Sequence, residues 1–374
     1  MVIFLQGTSI IIGSLILLAG FLAIELGLST AILEIVMGFI GTNLLGLETI
    51  EWLDFIAIIG LVGLMFLAGY ETDINVMKRN ISKNLVTGFL SFSLPFIIIF
   101  TLARFILNFG FFSSILISLG LSTTSLALVY SVLENMNVGD YSNLVIGGAM
   151  IADVTSMGIL AVLVGEFTPH MLFYASILVI ILVLSPLIIK YITSKYPTAP
   201  SEMELRFILL LFVILPFIAE QLYISEAVLA YSLGVIFSKY AKDHGELEKK
   251  LKTITFGFFA PAFFFRAGLL MNLSYISVDT LKILIIFLIP AYLCKYIGAY
   301  LPIRFFVKDP EVAKLSGLVY NFRLSFGIIV AIFGLEAGII TEEIYVMLLI
   351  IVLITSLISS VILKSSAYCC KSVI

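Results

Sequence analysis

Charge is what this sequence has least of. Only 12% of its 374 residues are charged, about half the share found in soluble domains, while 61% are hydrophobic. Mean hydropathy is +1.19. No polar stretch is long enough for a folded soluble domain, and the longest, Ser238 to Lys252, reads as a charged connector that cannot bury a core. Positive charge is missing before Lys78, so there is no basic leader and the first apolar run reads as a real helix. Cysteine is scarce: Cys294, Cys369 and Cys370 form no disulfide framework and read as reduced thiols, the vicinal pair being open to palmitoylation. The two histidines, His170 and His244, fall in loops and read as solvated. There is no phosphate-cradling glycine loop with a lysine, no His-Glu-x-x-His and no Cys/His cluster. These absences argue against an ATP-driven pump and an intramembrane zinc protease. Neither an enzyme, a resident cofactor nor a nucleic-acid partner is expected.

What remains is apolar runs of bilayer length, about 20 residues each, over almost the whole chain. They predict an all-α membrane protein of about thirteen spans, near 3–24, 31–46, 52–70, 84–107, 111–134, 142–165, 170–193, 205–220, 224–240, 253–272, 280–303, 313–335 and 343–364. Alternate loops carry the lysines and arginines: Lys78, Arg79 and Lys83; Lys190, Lys195 and Arg206; Lys239, Lys242, Lys249, Lys250 and Lys252; Arg304, Lys308 and Lys314, then Lys364 and Lys371. The opposite loops carry Glu48, Glu51, Glu166, Glu336, Glu342 and Glu343. The positive-inside rule therefore predicts an N-terminus outside and a C-terminus in the cytoplasm. Arg104 and Lys282, near helix ends, can snorkel, and so can Arg266 near the outer end of span 10.

An odd count accommodates two six-helix halves and a linker. Glu34-Ile-Val-Met-Gly-Phe in span 2 echoes Glu226-Ala-Val-Leu-Ala-Tyr in span 9, and Met65-Phe-Leu-Ala-Gly-Tyr echoes Phe264-Phe-Arg-Ala-Gly-Leu. Spans 2 and 9 run in opposite directions, which makes the repeats inverted. Inverted repeats place a substrate site at the midplane, where interrupted helices meet.

Asp153 stands in the middle of span 6. A carboxylate there costs at least about 2.5–3.5 kcal/mol and must face the bundle interior or water. It reads either as an ion and proton site or as a structural acid bonded to a neighbouring helix. Gly148 and Ala152, one turn apart, let a neighbour approach. Span 5 holds four consecutive hydroxyls, Ser122, Thr123, Thr124 and Ser125, which compete with the helical backbone beside Gly120. A local break there would free hard oxygen ligands for a small cation; the plainer reading is interhelical hydrogen bonding. Span 12 has a similar interruption at Gly317, Asn321, Arg323, Ser325 and Gly327. Lys295 and Arg323 lie deep in spans 11 and 12, where an arginine stays charged and binds carbonyl ends or acids. Glu34 and Glu226, near helix ends, read as structural partners or caps.

Taken together, Met65-Phe-Leu-Ala-Gly-Tyr-Glu-Thr-Asp, Leu121-Ser-Thr-Thr-Ser-Leu-Ala-Leu, Gly147-Gly-Ala-Met-Ile-Ala-Asp, Lys295-Tyr-Ile-Gly and Gly317-Leu-Val-Tyr-Asn-Phe-Arg resemble the monovalent cation:proton antiporter superfamily, on its proton-antiporter-2 branch. The resemblance covers nearly the whole chain. It implies a homodimer in the cell membrane, with helices 1–3 and 8–10 as dimerisation scaffold and helices 4–6 and 11–13 as mobile core. It implies crossed broken helices 5 and 12, with Thr124 and Ser125 at the interruption and Thr123 beside them. Asp153 matches the family's ion-binding aspartate, Lys295 its core lysine and Arg323 the arginine of an Arg-Gly-Glu motif. Three features depart from the pattern. Ala152 stands where the family has Asp, Asn or Gln; Leu324 and Ser325 follow Arg323; and nothing matches the cytosolic nucleotide-binding domain of many potassium-efflux relatives.

The expected activity is sodium/proton antiport by alternating access at Asp153, the cargo being sodium, or lithium or potassium, against protons. A potassium/proton antiporter, a gated cation channel and a sodium-coupled organic-anion symporter, with Arg323 on the carboxylate, are the alternatives.

Overall fold

The computed structural model describes residues 2–71, 80–134, 141–163, 169–195, 202–222, 225–241 and 245–365. Their regular structure is entirely helical: α1 (Val2–Leu26), α2 (Thr30–Leu45), α3 (Glu51–Tyr70), α4 (Ile81–Thr101), α5 (Phe111–Ser122), α6 (Leu126–Glu134), α7 (Ser142–Leu163), α8 (Pro169–Lys195), α9 (Met203–Leu222), α10 (Glu226–Ala241), α11 (Gly245–Ile254), α12 (Ala260–Leu269), α13 (Val278–Val307), α14 (Pro310–Val319), α15 (Phe326–Glu336) and α16 (Glu342–Ser365). Seven helices among the described residues are long and apolar enough to cross a membrane. Shorter apolar helices include Phe111–Ser122 and Phe326–Glu336. These two are short because spans 5 and 12 are each divided, into α5 and α6 and into α14 and α15.

Local chemistry sets the boundaries. Ser277 caps α13 through a reciprocal pair of bonds with Thr280, and Asp309 caps α14, whose first residue is Pro310. Proline is tolerated there because the first-turn N–H has no helical acceptor. Gly46 ends α2 in the left-handed conformation, at φ 63°. One stretch differs from expectation. The second half of the Ser238–Lys252 connector is helical, because Leu247 and Leu251 form a buried i, i+4 stripe while Lys252 pairs with Glu248 and Glu71. Through a π-turn at Thr255–Phe259 this helix runs on into α12.

The chain divides into two compact units, Met1–Thr49 with Ile74–Ile159 and Phe264–Ile374, and Ile50–Asp73 with Leu160–Phe263. In the first, α2 and α12 cross at glycines: a Cβ on Gly38 would lie 2.0 Å from the Phe265 carbonyl oxygen, and one on Gly268 2.0 Å from that of Ile35. In the second, α3 and α10 cross in the same reciprocal way. There a Cβ on Gly69 would meet the Tyr231 carbonyl oxygen at 2.2 Å, and one on Gly234 that of Phe66 at 2.1 Å. Only glycine permits backbones this close. Gly69 and Gly268 occupy the same place in the two echoing hexapeptides.

In the first unit, Lys364 near the end of α16 donates to the Leu26 carbonyl at the end of α1, 2.5 Å away. The C-terminal ends of the first and last helices therefore lie together. Also there, Arg266 does not snorkel: only 15% exposed, it pairs with Glu336 at 3.0 Å. A carboxylate at the end of α15 answers its charge locally. Glu34 stands one turn inside α2, whose N-cap is Ser29, and is enclosed at 5% exposure, so of the two readings it is not a cap. Lys78, Arg79, Lys242, Lys371, Glu166, His244, Cys369 and Cys370, and the side chains of His170 and Lys239, lie outside the described residues.

Candidate ion-binding site

The site is built where two helices stop. The hydroxyls of Ser122 to Ser125 end α5: Thr123 turns extended at φ −69°, ψ 167°, and its Oγ1 bonds back to the Gly120 carbonyl at 3.1 Å. A second stop runs from Tyr320 to Ser325, between α14 and α15. The two stops face one another. The Ser125 amide donates to the Phe322 carbonyl oxygen at 2.7 Å, and the Ser325 hydroxyl bonds that of Ser125 at 3.0 Å. A Cβ on Gly327 would lie 3.0 Å from the Gly120 carbonyl oxygen. Each interruption thus satisfies part of the other's freed backbone, which is what permits irregular chain at this depth.

Two cations are enclosed around this junction. Lys295, on α13, is fully buried and donates to the Ser122 carbonyl at 2.6 Å. That carbonyl closes α5 and carries the negative end of its dipole. Arg323, inside the second stop, is also fully buried. It donates through one Nη to the Ala291 carbonyl at 2.6 Å and to the Asn321 side-chain oxygen at 3.1 Å, while Nε and the other Nη make no hydrogen bond among the described residues. Among the described residues both bind backbone carbonyls rather than acids.

Asp153 lies on α7, 7% exposed, with one carboxylate oxygen buried and without a hydrogen-bond partner among the described residues. It stands within electrostatic reach of Lys295, and Lys295 within reach of Arg323. Glycines let α7 sit close to its neighbours. A Cβ on Gly147 would strike Asn84, and one on Gly148 would strike Thr87 and the Tyr320 phenol. The Thr124 and Ser122 hydroxyls are likewise buried and without a partner among the described residues.

The structure therefore joins Thr123, Thr124, Ser125 and Arg323 at one junction, links Lys295 to it by a hydrogen bond and brings Asp153 within the field of that lysine. Sequence reasoning gave no role to Tyr320, Asn84 or Thr87, which are uncharged. The only available signal was Tyr320, an aromatic hydroxyl inside a polar interruption. Among the described residues no group of three His, Cys, Asp or Glu could hold a metal. The oxygens at the junction are instead hard ligands of the kind that suits small cations.

Among the described residues, facing helix stops with Asp153, Lys295 and Arg323 buried around them, inside a helical bundle, make a candidate intramembrane ion site. The chain belongs to the sodium/hydrogen exchanger family, whose transmembrane model matches residues 12–366. That bears out the resemblance to the monovalent cation:proton antiporter superfamily. A probable Na(+)/H(+) antiporter 3 of Methanocaldococcus jannaschii is 27% identical over 90% of this chain and 89% of its own length. The Na(+)/H(+)-K(+) antiporter GerN of Bacillus cereus is 25% identical, over 93% and 92%. The solved sodium proton antiporter MjNhaP1 from Methanocaldococcus jannaschii shares the fold, with a TM-score of 0.67 over 98% of this chain and 97% of that one, at 16% identity. These relatives are transporters, and the chain is a transporter rather than an enzyme.

Proposed function

We propose that the chain is a secondary sodium/proton antiporter working by alternating access at Asp153. The observation that carries this reading is the set of buried oxygens without partners among the described residues, Asp153 Oδ1, Thr124 Oγ1 and Ser122 Oγ, on the elements that converge at the helix stops. Burying such groups unpaired is costly, and a small cation satisfies them. A proton on Asp153 and a cation beside it are alternatives, because either neutralises the one carboxylate. A neutralised aspartate crosses the membrane far more cheaply than a bare one, so the loaded core moves and the empty one does not. Lys295, tied to the Ser122 carbonyl, stays a fixed positive charge, and one proton exchanges for one cation.

The inverted-repeat reading is supported by the two glycine crossings, in which echoing Gly69 and Gly268 each pack on a helix of the other repeat. The outside N-terminus and cytoplasmic C-terminus are supported by the sorted basic loops, and Lys364 joining the end of α1 supports the two termini lying on opposite sides. A homodimer in the cell membrane is part of the same proposal, and membership of a transmembrane exchanger family supports it. The test is cation-induced pH change in proteoliposomes across sodium, lithium and potassium. Sodium should alkalinise or acidify the lumen according to its gradient, and a sodium pulse without proton movement would reject antiport. The potassium arm separates a potassium-preferring exchanger.

A further inference from the structure

The phenol of Tyr320 is fully buried and reaches into the backbone of the helix that carries Asp153. Its hydroxyl donates to the Val145 carbonyl oxygen of α7 at 2.6 Å. That carbonyl lies in the helix interior, so the bond is an additional one rather than the repair of a helix end. Room for it exists only because residue 148 is glycine: a Cβ there would lie 2.5 Å from the phenol oxygen and 2.8 Å from the Thr87 methyl carbon. The ring of the same tyrosine lies 5.9 Å from the Lys295 ammonium, within range of a cation–π attraction. Its backbone begins the second helix stop. One residue therefore reaches each component of the site: its hydroxyl the acid's helix, its ring the lysine, its backbone the interruption. Asp153 has no such tether of its own, since its buried oxygen makes no hydrogen bond among the described residues.

We infer that Tyr320 is a positioning residue of the ion site, holding α7 at a set depth and rotation against the helix stops so that Asp153 faces the hydroxyls of Ser122 and Thr124. It touches no ion. It acts through the register of α7, so its loss should weaken cation binding more than it slows the movement of a loaded core. A purely structural tyrosine would instead lower the amount of active protein and leave the apparent cation affinity unchanged. The inference rests on the reading of Asp153 as the ion ligand.

The experiment measures sodium-driven proton flux in proteoliposomes of the full chain, fitted for KM and maximal rate. Tyr320→Phe keeps the ring over Lys295 and removes only the bond to Val145. Its sodium KM should rise about three- to tenfold, the worth of one buried hydrogen bond, with the maximal rate per folded protein within about twofold of the parent. Gly148→Ala, which puts a methyl group where the phenol oxygen sits, should raise KM similarly. The double variant should be clearly less than additive, because both changes act on the Tyr320 contact with α7, Gly148→Ala also crowding Thr87. An unchanged KM in Tyr320→Phe overturns the inference, as does full additivity in the double variant. If Tyr320→Phe yields little folded protein, Gly148→Ala decides alone, and an unchanged KM there overturns the inference. Asp153→Asn is the control for the underlying reading. If it retains exchange, the site itself is misplaced; if it is inactive while Tyr320→Phe is unaffected, only the role of Tyr320 fails.

Discussion

Lys295 donates to the Ser122 carbonyl oxygen at 2.6 Å, and no carboxylate among the described residues pairs with it. Ala152 stands immediately before Asp153, where the family pattern that the chain resembles carries an acid or amide, so no second acid precedes Asp153. In the proposed one-for-one scheme, a lysine held by a helix-end carbonyl has no acid to exchange partners with as the cation binds and keeps its proton throughout the cycle. Cation-driven proton flux should then be flat across a series of imposed membrane potentials. Flux rising steeply with potential would reveal net charge transfer and end the one-for-one scheme. Lys295→Gln should keep that insensitivity while lowering exchange.

Asp153→Asn should abolish cation-driven proton movement, leaving expression and thermal stability close to the parent, since the amide is isosteric and its buried oxygen loses no protein partner. Thr124→Ala should raise the sodium KM by about three- to tenfold, the range for one lost polar contact. Full exchange in Asp153→Asn would make the carboxylate structural.

Topology gives a third expectation. Glu342 and Lys249 are both exposed, at the start of α16 and in α11. In intact cells, a cysteine at 342 should react with an impermeant maleimide added outside, and one at 249 only after permeabilisation. The reverse pattern would invert the orientation.

The glycine crossings should be intolerant of any side chain. Gly268→Val and Gly69→Val each drive a Cβ against a backbone carbonyl, which cannot step aside, and should cost at least about 3 kcal/mol or prevent folding. Gly158, with nothing within 4 Å of an added Cβ, is the contrast. Gly158→Ala should be neutral or stabilising by up to about 1 kcal/mol, read as melting temperature in detergent.

Much of this was legible along the chain because lipid imposes strong rules on sequence. Apolar runs placed α1, α2, α3 and α13 within a few residues, since a span must be long and uncharged. Asp153, Lys295 and Arg323 stood out because charge at depth is rare. The stop at Thr123–Ser125 was visible in its hydroxyls beside Gly120. Along the chain Arg266 reads as snorkelling because its partner Glu336 lies 70 residues away, a distance periodicity cannot cross. The helical half of the connector was missed because a charged run was weighed by its polarity rather than by Leu247 and Leu251.

Sequence by itself determined that this chain lives in a membrane, where several of its long helices fall and that Asp153 is buried, because each of these is a local cost of removing groups from water. Only the tertiary structure decided that the two helix stops bond one another through Ser125 and Phe322, that Lys295 serves a carbonyl instead of an acid, and that a tyrosine enters the backbone at Gly148. Those are contacts between elements far apart in the chain. Their partners are backbone atoms, which every residue carries alike, so no residue type announces them.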